Sequence, residues 1–248
     1  MEEENKIKFI GKTWIAYFDI SGFKKYVEQE KGLKVLSKFY AVGYRELKKN
    51  KNLYGIFFSD LGIIFINNDI QNINSDQSIT GLCEVLKIVT KLNKEFLIPS
   101  VEYENLGHIK FMTKCAIAFG DLNIMKLPEL PNIEKQPLYG QGFIDAYESA
   151  EGISEHTMQI GEVRITYRKT SYFKDKLKEL NKRHSLFKNL YKIGPTHAYF
   201  SWTGKADPSK ELNKIFNKGK QKAQEAHKNE MDNMYKKQLD TYTDWIKG

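Results

Sequence analysis

Two aspartates, Asp19 and Asp60, each stand at the edge of a strongly apolar run. Carboxylates brought together at a sheet edge are what one or two Mg²⁺ or Mn²⁺ ions would take, because these ions favour carboxylates plus substrate phosphates over an all-protein cage. Asp19 closes the run that starts at Trp14, and Asp60 sits inside YGIFFSDLGIIFI, residues 54–66. Beside Asp19, the amides of Ile20, Ser21, Gly22 and Phe23 fall at the start of a helix, where they could receive phosphate oxygens. Two metals about 3.5–4 Å apart would clamp the attacking and leaving oxygens of an in-line phosphoryl displacement. Taken singly, an aspartate before a helix is a common cap and an aspartate in a turn is a common turn residue. Only their joint placement points to chemistry.

The elements that must position them can be read from periodicity. Residues 14–20 are a short aromatic-rich run, as expected of a buried strand. Ser21 is placed to cap a helix bearing Phe23, Tyr26, Val27, Leu33, Leu36, Phe39 and Tyr40, with a kink at Gly32. The two apolar runs around Ser59-Asp60-Leu61-Gly62 signal a hairpin. A second helix is predicted from Asp76 to Phe96, followed by a loop from Pro99 to Gly107. A strand over 109–119 should reach Gly120-Asp121 and turn back through Leu122 to Met125. A proline-bearing loop then leads to Gly140-Gln141-Gly142 and a helix from Phe143 to Glu151, with strands at 157–167 and 197–203 and a basic amphipathic helix from Ser171 between them. The opening order is the βαββαβ pattern of a ferredoxin-like α+β sheet, in which the first and third strands are central neighbours. That arrangement brings the end of the first strand close to the hairpin turn, and so Asp19 close to Asp60.

Length and composition set the outer bounds. The chain has 248 residues, 41% hydrophobic and 28% charged, enough for a real core. No window nears the roughly 18 apolar residues of a spanning helix. The start MEEENKIKF lacks the layout of a signal peptide, so a cytoplasmic location with no membrane role is expected. Cys83 and Cys115 are the only cysteines and read as reduced core thiols. The five histidines are scattered, no Walker lysine follows Gly142, and no nucleophile elbow appears. The formal charge of +8 suggests an anionic partner, but it is nearly all lysine, the arginines being Arg45, Arg164, Arg168 and Arg183. Sequence-reading nucleic-acid binders lean on arginine's planar fork, so nucleotide phosphates suit this charge as well as DNA, and no specific nucleic acid is expected. Residues 205–248 are lysine-rich with one narrow apolar face, and read as a helical C-terminal extension beyond a body of residues 1–204.

Four segments then resemble, in order, the class III nucleotidyl cyclases. IAYFDISGF (15–23) is similar to that family's first metal motif and FFSDLGIIF (57–65) to its second. KCAIAFGD (114–121) resembles the later strand ending in glycine, and YGQGFIDAYESAE (139–151) the glycine-then-helix element that carries the family's asparagine and arginine. The motif tone is closest to the pyrimidine cyclases of bacterial antiphage (Pycsar) systems, which make cyclic UMP or cyclic CMP. The resemblance implies a cyclase or palm-type sheet with flanking helices and two Mg²⁺ or Mn²⁺ ions held by Asp19, Ile20 and Asp60. It implies a triphosphate held by Ile20, Ser21, Gly22 and Phe23 with Lys114 and Gly140, and a head-to-tail homodimer with active sites at its interface. A cyclic-nucleotide-activated effector would lie downstream. The asparagine and arginine positions align with Asp145 and Ser149, so neither matches. Asp145 stands at a catalytic position nonetheless, and Lys114, Arg164 and Arg168 are the candidates to supply the missing cation. Lys110, Lys114, Lys126 and Lys135 border the expected cleft. Three readings result: a cyclase, with UTP favoured and CTP possible; a silent cyclase-fold nucleotide sensor; and a nucleic-acid-binding palm relative.

Overall fold

Strand β1 (Phe9–Ile20) is apolar on both faces because it is covered on both. Trp14, Ala16, Phe18 and Ile20 enter one core, and Ile15 and Tyr17 enter a second. By strand alternation Asp19 falls on the second face. The computed structural model describes residues 8–97, 109–124, 137–151, 158, 161–168 and 172–203. After β1 come helices α1 (Phe23–Glu28) and α2 (Gly32–Lys48), strands β2 (Leu53–Phe58) and β3 (Leu61–Ile66), helix α3 (Asp76–Leu97) and strand β4 (Thr113–Ile124). These are followed by β5 (Leu138–Tyr139), α4 (Gln141–Glu151), β6 (Val163–Thr166), α5 (Phe173–Arg183), β7 (Leu190–Tyr191) and β8 (His197–Phe200).

The strands form one sheet in the order β2-β3-β1-β4-β6-β8-β7, with β5 paired to β4. Its first four strands have the ferredoxin-like order, with β1 antiparallel to both β3 and β4. The fold class is therefore α+β, a central sheet with flanking helices. Buried residues of α2, α3 and α5 join the Trp14 side of the core, whereas Ala146 and Ala150 of α4 join the Tyr17 side. Helix α4 thus lies on the same face as Asp19. Both cysteines are free and buried, and Phe173 and Leu177 seat α5 in the core.

Four local expectations are corrected. Strand β4 runs straight through Gly120-Asp121 to Ile124 instead of turning back there, because β1 offers a partner along its whole length, from Ile20↔Thr113 to Phe9↔Ile124. The helix after β1 is broken rather than kinked: α1 stops at Glu28, and Glu30 adopts φ 58 before α2 starts at Gly32. Ser21 caps nothing; the N-cap position is Gly22, at φ 73 in the left-handed region that a Cβ disfavours. Among the described residues, the strands expected at 157–167 and 197–203 cover only Val163–Thr166 and His197–Phe200. The 99–107 loop, Lys126, Lys135 and the extension over 205–248 lie outside the described residues. Among the described residues no helix is long and apolar enough to cross a membrane.

Candidate active site

The hairpin between β2 and β3 closes on two residues, Ser59 and Asp60. Ser59 has φ 50, a left-handed conformation that non-glycine residues seldom adopt. Both carbonyls of this turn are held from outside. The Tyr40 hydroxyl of α2 donates to the Ser59 carbonyl at 3.0 Å, and the Ile20 amide donates to the Asp60 carbonyl at 3.0 Å. Asp19 pairs with Leu61, the next residue after Asp60, in the β1–β3 ladder. The expectation that the end of the first strand meets the hairpin turn is therefore realised in the backbone, and the two aspartates belong to one locality.

Across the other ladder Asp19 pairs with Lys114, whose Nζ lies 3.1 Å from Asp19 Oδ2. Burial pushes the Asp19 carboxyl above its usual range; Lys114 opposes that shift, while the Glu151 and Asp60 carboxylates add to it. Glu151, at the end of α4, accepts a 3.3 Å hydrogen bond from the Tyr17 hydroxyl. Burial, with the charges of Glu151 and Asp19, raises the Tyr17 phenol well above its ordinary value, so this hydroxyl remains a donor at neutral pH. Tyr147 and Phe143 pack against the Tyr17 ring. From the sequence Tyr17 reads as core or cleft wall, with no polar role, and Glu151 only as the end of the 139–151 segment. The available signals were weak: Tyr17 is two residues before Asp19 on a strand, and Glu151 is one helical turn beyond Tyr147.

Lys114 pairs with Asp19 alone, while the Glu151 and Asp60 carboxylates act on Asp19 through their charge, so the locality carries surplus negative charge of the kind a divalent cation offsets. A second observation agrees: the Ser21 hydroxyl is buried with no hydrogen-bond partner, directly after the Asp19–Ile20 pair. The donor set present thus fits a bound cation and phosphate, although no group of three His, Cys, Asp or Glu residues converges to ligand distance among the described residues.

Other expected site residues fare differently. The Ile20 amide goes to Asp60 and the Ser21 amide to the Met112 carbonyl, so neither faces a phosphate. Gly22 and Phe23 remain as amides for that role, though α1 is only six residues long and contributes little dipole. Gly140 has a packing reason to be glycine: a Cβ there would fall 2.2 Å from the Asp121 carbonyl oxygen. Asp145 on α4 accepts a 2.7 Å hydrogen bond from Gln141 and lies 3.7 Å from the exposed Arg168 guanidinium. Ser149 is buried and accepts a hydrogen bond from the Thr166 hydroxyl, so it faces β6. Arg164 is corrected as a candidate cation: it is 2% exposed, paired with buried Glu162 at 2.8 Å, and stacked over Tyr199. Lys110 does not border a cleft either; it is 2% exposed, on the side of Tyr26 and Lys38. Among the described residues, Lys114 and Arg168 remain as candidate cations.

No protein-family model matches the sequence, and no curated protein matches it either. Solved structures do resemble the fold. Those similar to it include cyclase domains. The monomeric guanylyl cyclase domain of the RhoGC fusion protein from Blastocladiella emersonii is 10% identical at a TM-score of 0.48, covering 77% of this chain and 95% of that one. The adenylyl cyclase CyaB from P. aeruginosa is 13% identical at a TM-score of 0.41, covering 78% of this chain and 95% of that one. A class III adenylyl cyclase-like ATP-binding protein from Pseudomonas aeruginosa is 14% identical at a TM-score of 0.43, covering 64% of this chain and 34% of that one.

Proposed function

We propose that this chain is a metal-dependent nucleotide cyclase that converts a pyrimidine ribonucleoside triphosphate, UTP before CTP, to its 3′,5′-cyclic monophosphate and pyrophosphate. The observation that carries the reading is the meeting of Asp19 and the Asp60 turn beside Lys114, Glu151 and the orphaned Ser21 hydroxyl. Asp19 and Asp60 would hold Mg²⁺ or Mn²⁺, which when bound neutralises triphosphate charge and makes the ribose 3′-hydroxyl more acidic. That hydroxyl gives its proton to water. Its oxygen bonds to the α-phosphorus, and the bond from that phosphorus to the departing pyrophosphate breaks. The chain's own part is positioning and charge. The Ile20 and Tyr40 hydrogen bonds fix the turn that carries Asp60, and the Gly22 and Phe23 amides meet phosphate oxygens. Lys114 beside Asp19 supplies one cation for the developing charge, and Arg168 beside Asp145 supplies a second.

A homodimer with sites at its interface, and a role in antiphage signalling through a cyclic-nucleotide-activated effector, belong to the same proposal and rest on the motif resemblance. A second reading, a nucleotide-binding protein without turnover, is favoured by one observation: the position aligned with the family's arginine is Ser149, buried against β6. Pyrophosphate release from each of the four ribonucleoside triphosphates, with Mn²⁺ and beside Asp60→Ala, separates the two. Release lost in the variant supports the cyclase; metal-dependent binding of a triphosphate with no release supports the second reading.

A further inference from the structure

The Asp19–Lys114 pair has a consequence for how this site fills. The two residues are directly opposed in the β1–β4 ladder, their charged atoms are 3.1 Å apart, and both side chains are 21% exposed. Asp19 Oδ2 is occupied by the ammonium. A divalent cation on either oxygen of Asp19 would sit within a few ångströms of that like charge, and at such distances like charges in a half-buried site repel strongly. Asp60 and Glu151 keep the locality negative, so removing the ammonium without a replacement is also unfavourable. Exchange of one cation for the other relieves that repulsion and keeps the locality neutralised. The lysine stem has four carbons and rotates freely, so Nζ can leave Oδ2 without any movement of β4. Beside a bound polyanion, its next acceptor is a phosphate oxygen.

We propose that Lys114 is an exchangeable counter-ion: it holds the Asp19 carboxylate while no metal is present, yields Oδ2 to the incoming divalent cation, and passes to the triphosphate. The inference rests on the reading of Asp19 as a metal ligand, and it assigns Lys114 as a positioning residue whose two partners are used in turn. Its signature is a pair of effects of opposite sign. Removing the ammonium should tighten the metal and loosen the polyphosphate, whereas a lysine that stays on Asp19 would leave the polyphosphate affinity unchanged when removed.

The test uses the full chain with Lys114→Met, which keeps the apolar stem, and Lys114→Arg, which keeps the charge. Free Mn²⁺ is followed by electron paramagnetic resonance without nucleotide, and inorganic triphosphate binding is followed by calorimetry at saturating Mg²⁺. Melting curves check that each variant folds. Lys114→Met is expected to bind Mn²⁺ on the order of tenfold more tightly and inorganic triphosphate on the order of tenfold more weakly, the scale of one unit charge in a half-buried site. Lys114→Arg should stay close to wild type in both. Unchanged or weaker Mn²⁺ binding by a folded Lys114→Met overturns the exchange while leaving the metal reading intact. Absence of Mn²⁺ binding by the wild type and by Lys114→Met alike removes the metal reading itself, and the exchange with it.

Discussion

Helix α4 carries Asp145 and Glu151, and its seat on the sheet is set by two glycines. A Cβ built on Gly142 would lie 2.8 Å from the backbone N, Cα and C of Gly120 in β4, and a Cβ on Gly120 would meet the Gly142 backbone at the same distance. Ordinary carbon contacts are about 3.5–4.0 Å, so Gly142→Ala must push the helix off the strand by roughly 0.7 Å or more. Backbone lies on both sides, and no side chain can rotate away. Overpacking of this kind costs about 1–3 kcal/mol. For a body near 200 residues that corresponds to a fall in Tm of about 2–12 °C. Gly81→Ala in α3 is the control. Its nearest neighbours would be Ile70 Cδ1 at 3.3 Å, Ile66 Cγ1 at 3.4 Å and Trp14 Cδ1 at 3.5 Å, all side-chain atoms. Alanine gains about 0.5–1 kcal/mol over glycine inside a helix, so Gly81→Ala should melt at or near the wild-type temperature. Differential scanning fluorimetry on the three proteins reads the difference. A Gly142→Ala protein melting within 1 °C of wild type would refute the seating of α4 on Gly120.

Lys38 is 1% exposed and donates to the Phe96 and Ile109 carbonyls, and burial lowers its amine to about 7. Between that value and its ordinary value near 10.4 the unfolded chain binds a proton that the folded chain does not, so stability from this group rises with pH across that window. Urea melts of wild type and Lys38→Met should diverge in favour of wild type from pH 6.5 to pH 9; a constant gap would contradict the lowered amine. Burial of Glu46 would raise its carboxyl, but hydrogen bonds from Lys91, Lys49 and Arg45 outweigh that and hold it near 2. Its contribution is present above its ordinary range near pH 4 and is lost as pH falls toward 2, so Glu46→Gln should flatten the acid limb of a pH–stability profile. Arg164→Ala removes the buried guanidinium that pairs with buried Glu162 and should cost about 3–5 kcal/mol. Arg168→Ala, at an exposed guanidinium, should leave the melting temperature within 1–2 °C, roughly the scale of a surface pair, while lowering turnover.

The parts of the fold that were legible in the sequence are those where burial writes a continuous pattern. The central run to Ile20, the hairpin around Ser59-Asp60 and the helix from Asp76 each carry their apolar residues in one unbroken segment. The straight passage of β4 through Gly120-Asp121 was not legible, because glycine-aspartate is a turn signal locally and only the long-range pairing with β1 overrides it. The two aspartates could be brought together from topology alone. The cations could not, because a lysine or arginine in a strand reads the same whether it faces the site, as Lys114 does, or is buried in an ion pair, as Arg164 is. The commitment of the Ile20 and Ser21 amides to Asp60 and Met112 depends on which strands neighbour β1, and a motif cannot display that.

The proposed function requires Asp19 and Asp60 to hold metal for cyclisation of a nucleotide. Wild type, Asp19→Asn and Asp60→Asn would each be incubated with ATP, GTP, CTP and UTP in Mn²⁺, and the products read by mass spectrometry. The wild type is expected to give a cyclic pyrimidine mononucleotide and neither variant any, with all three proteins folded. A cyclic product that persists in Asp19→Asn or Asp60→Asn, or no product from any triphosphate with the wild type, would contradict it.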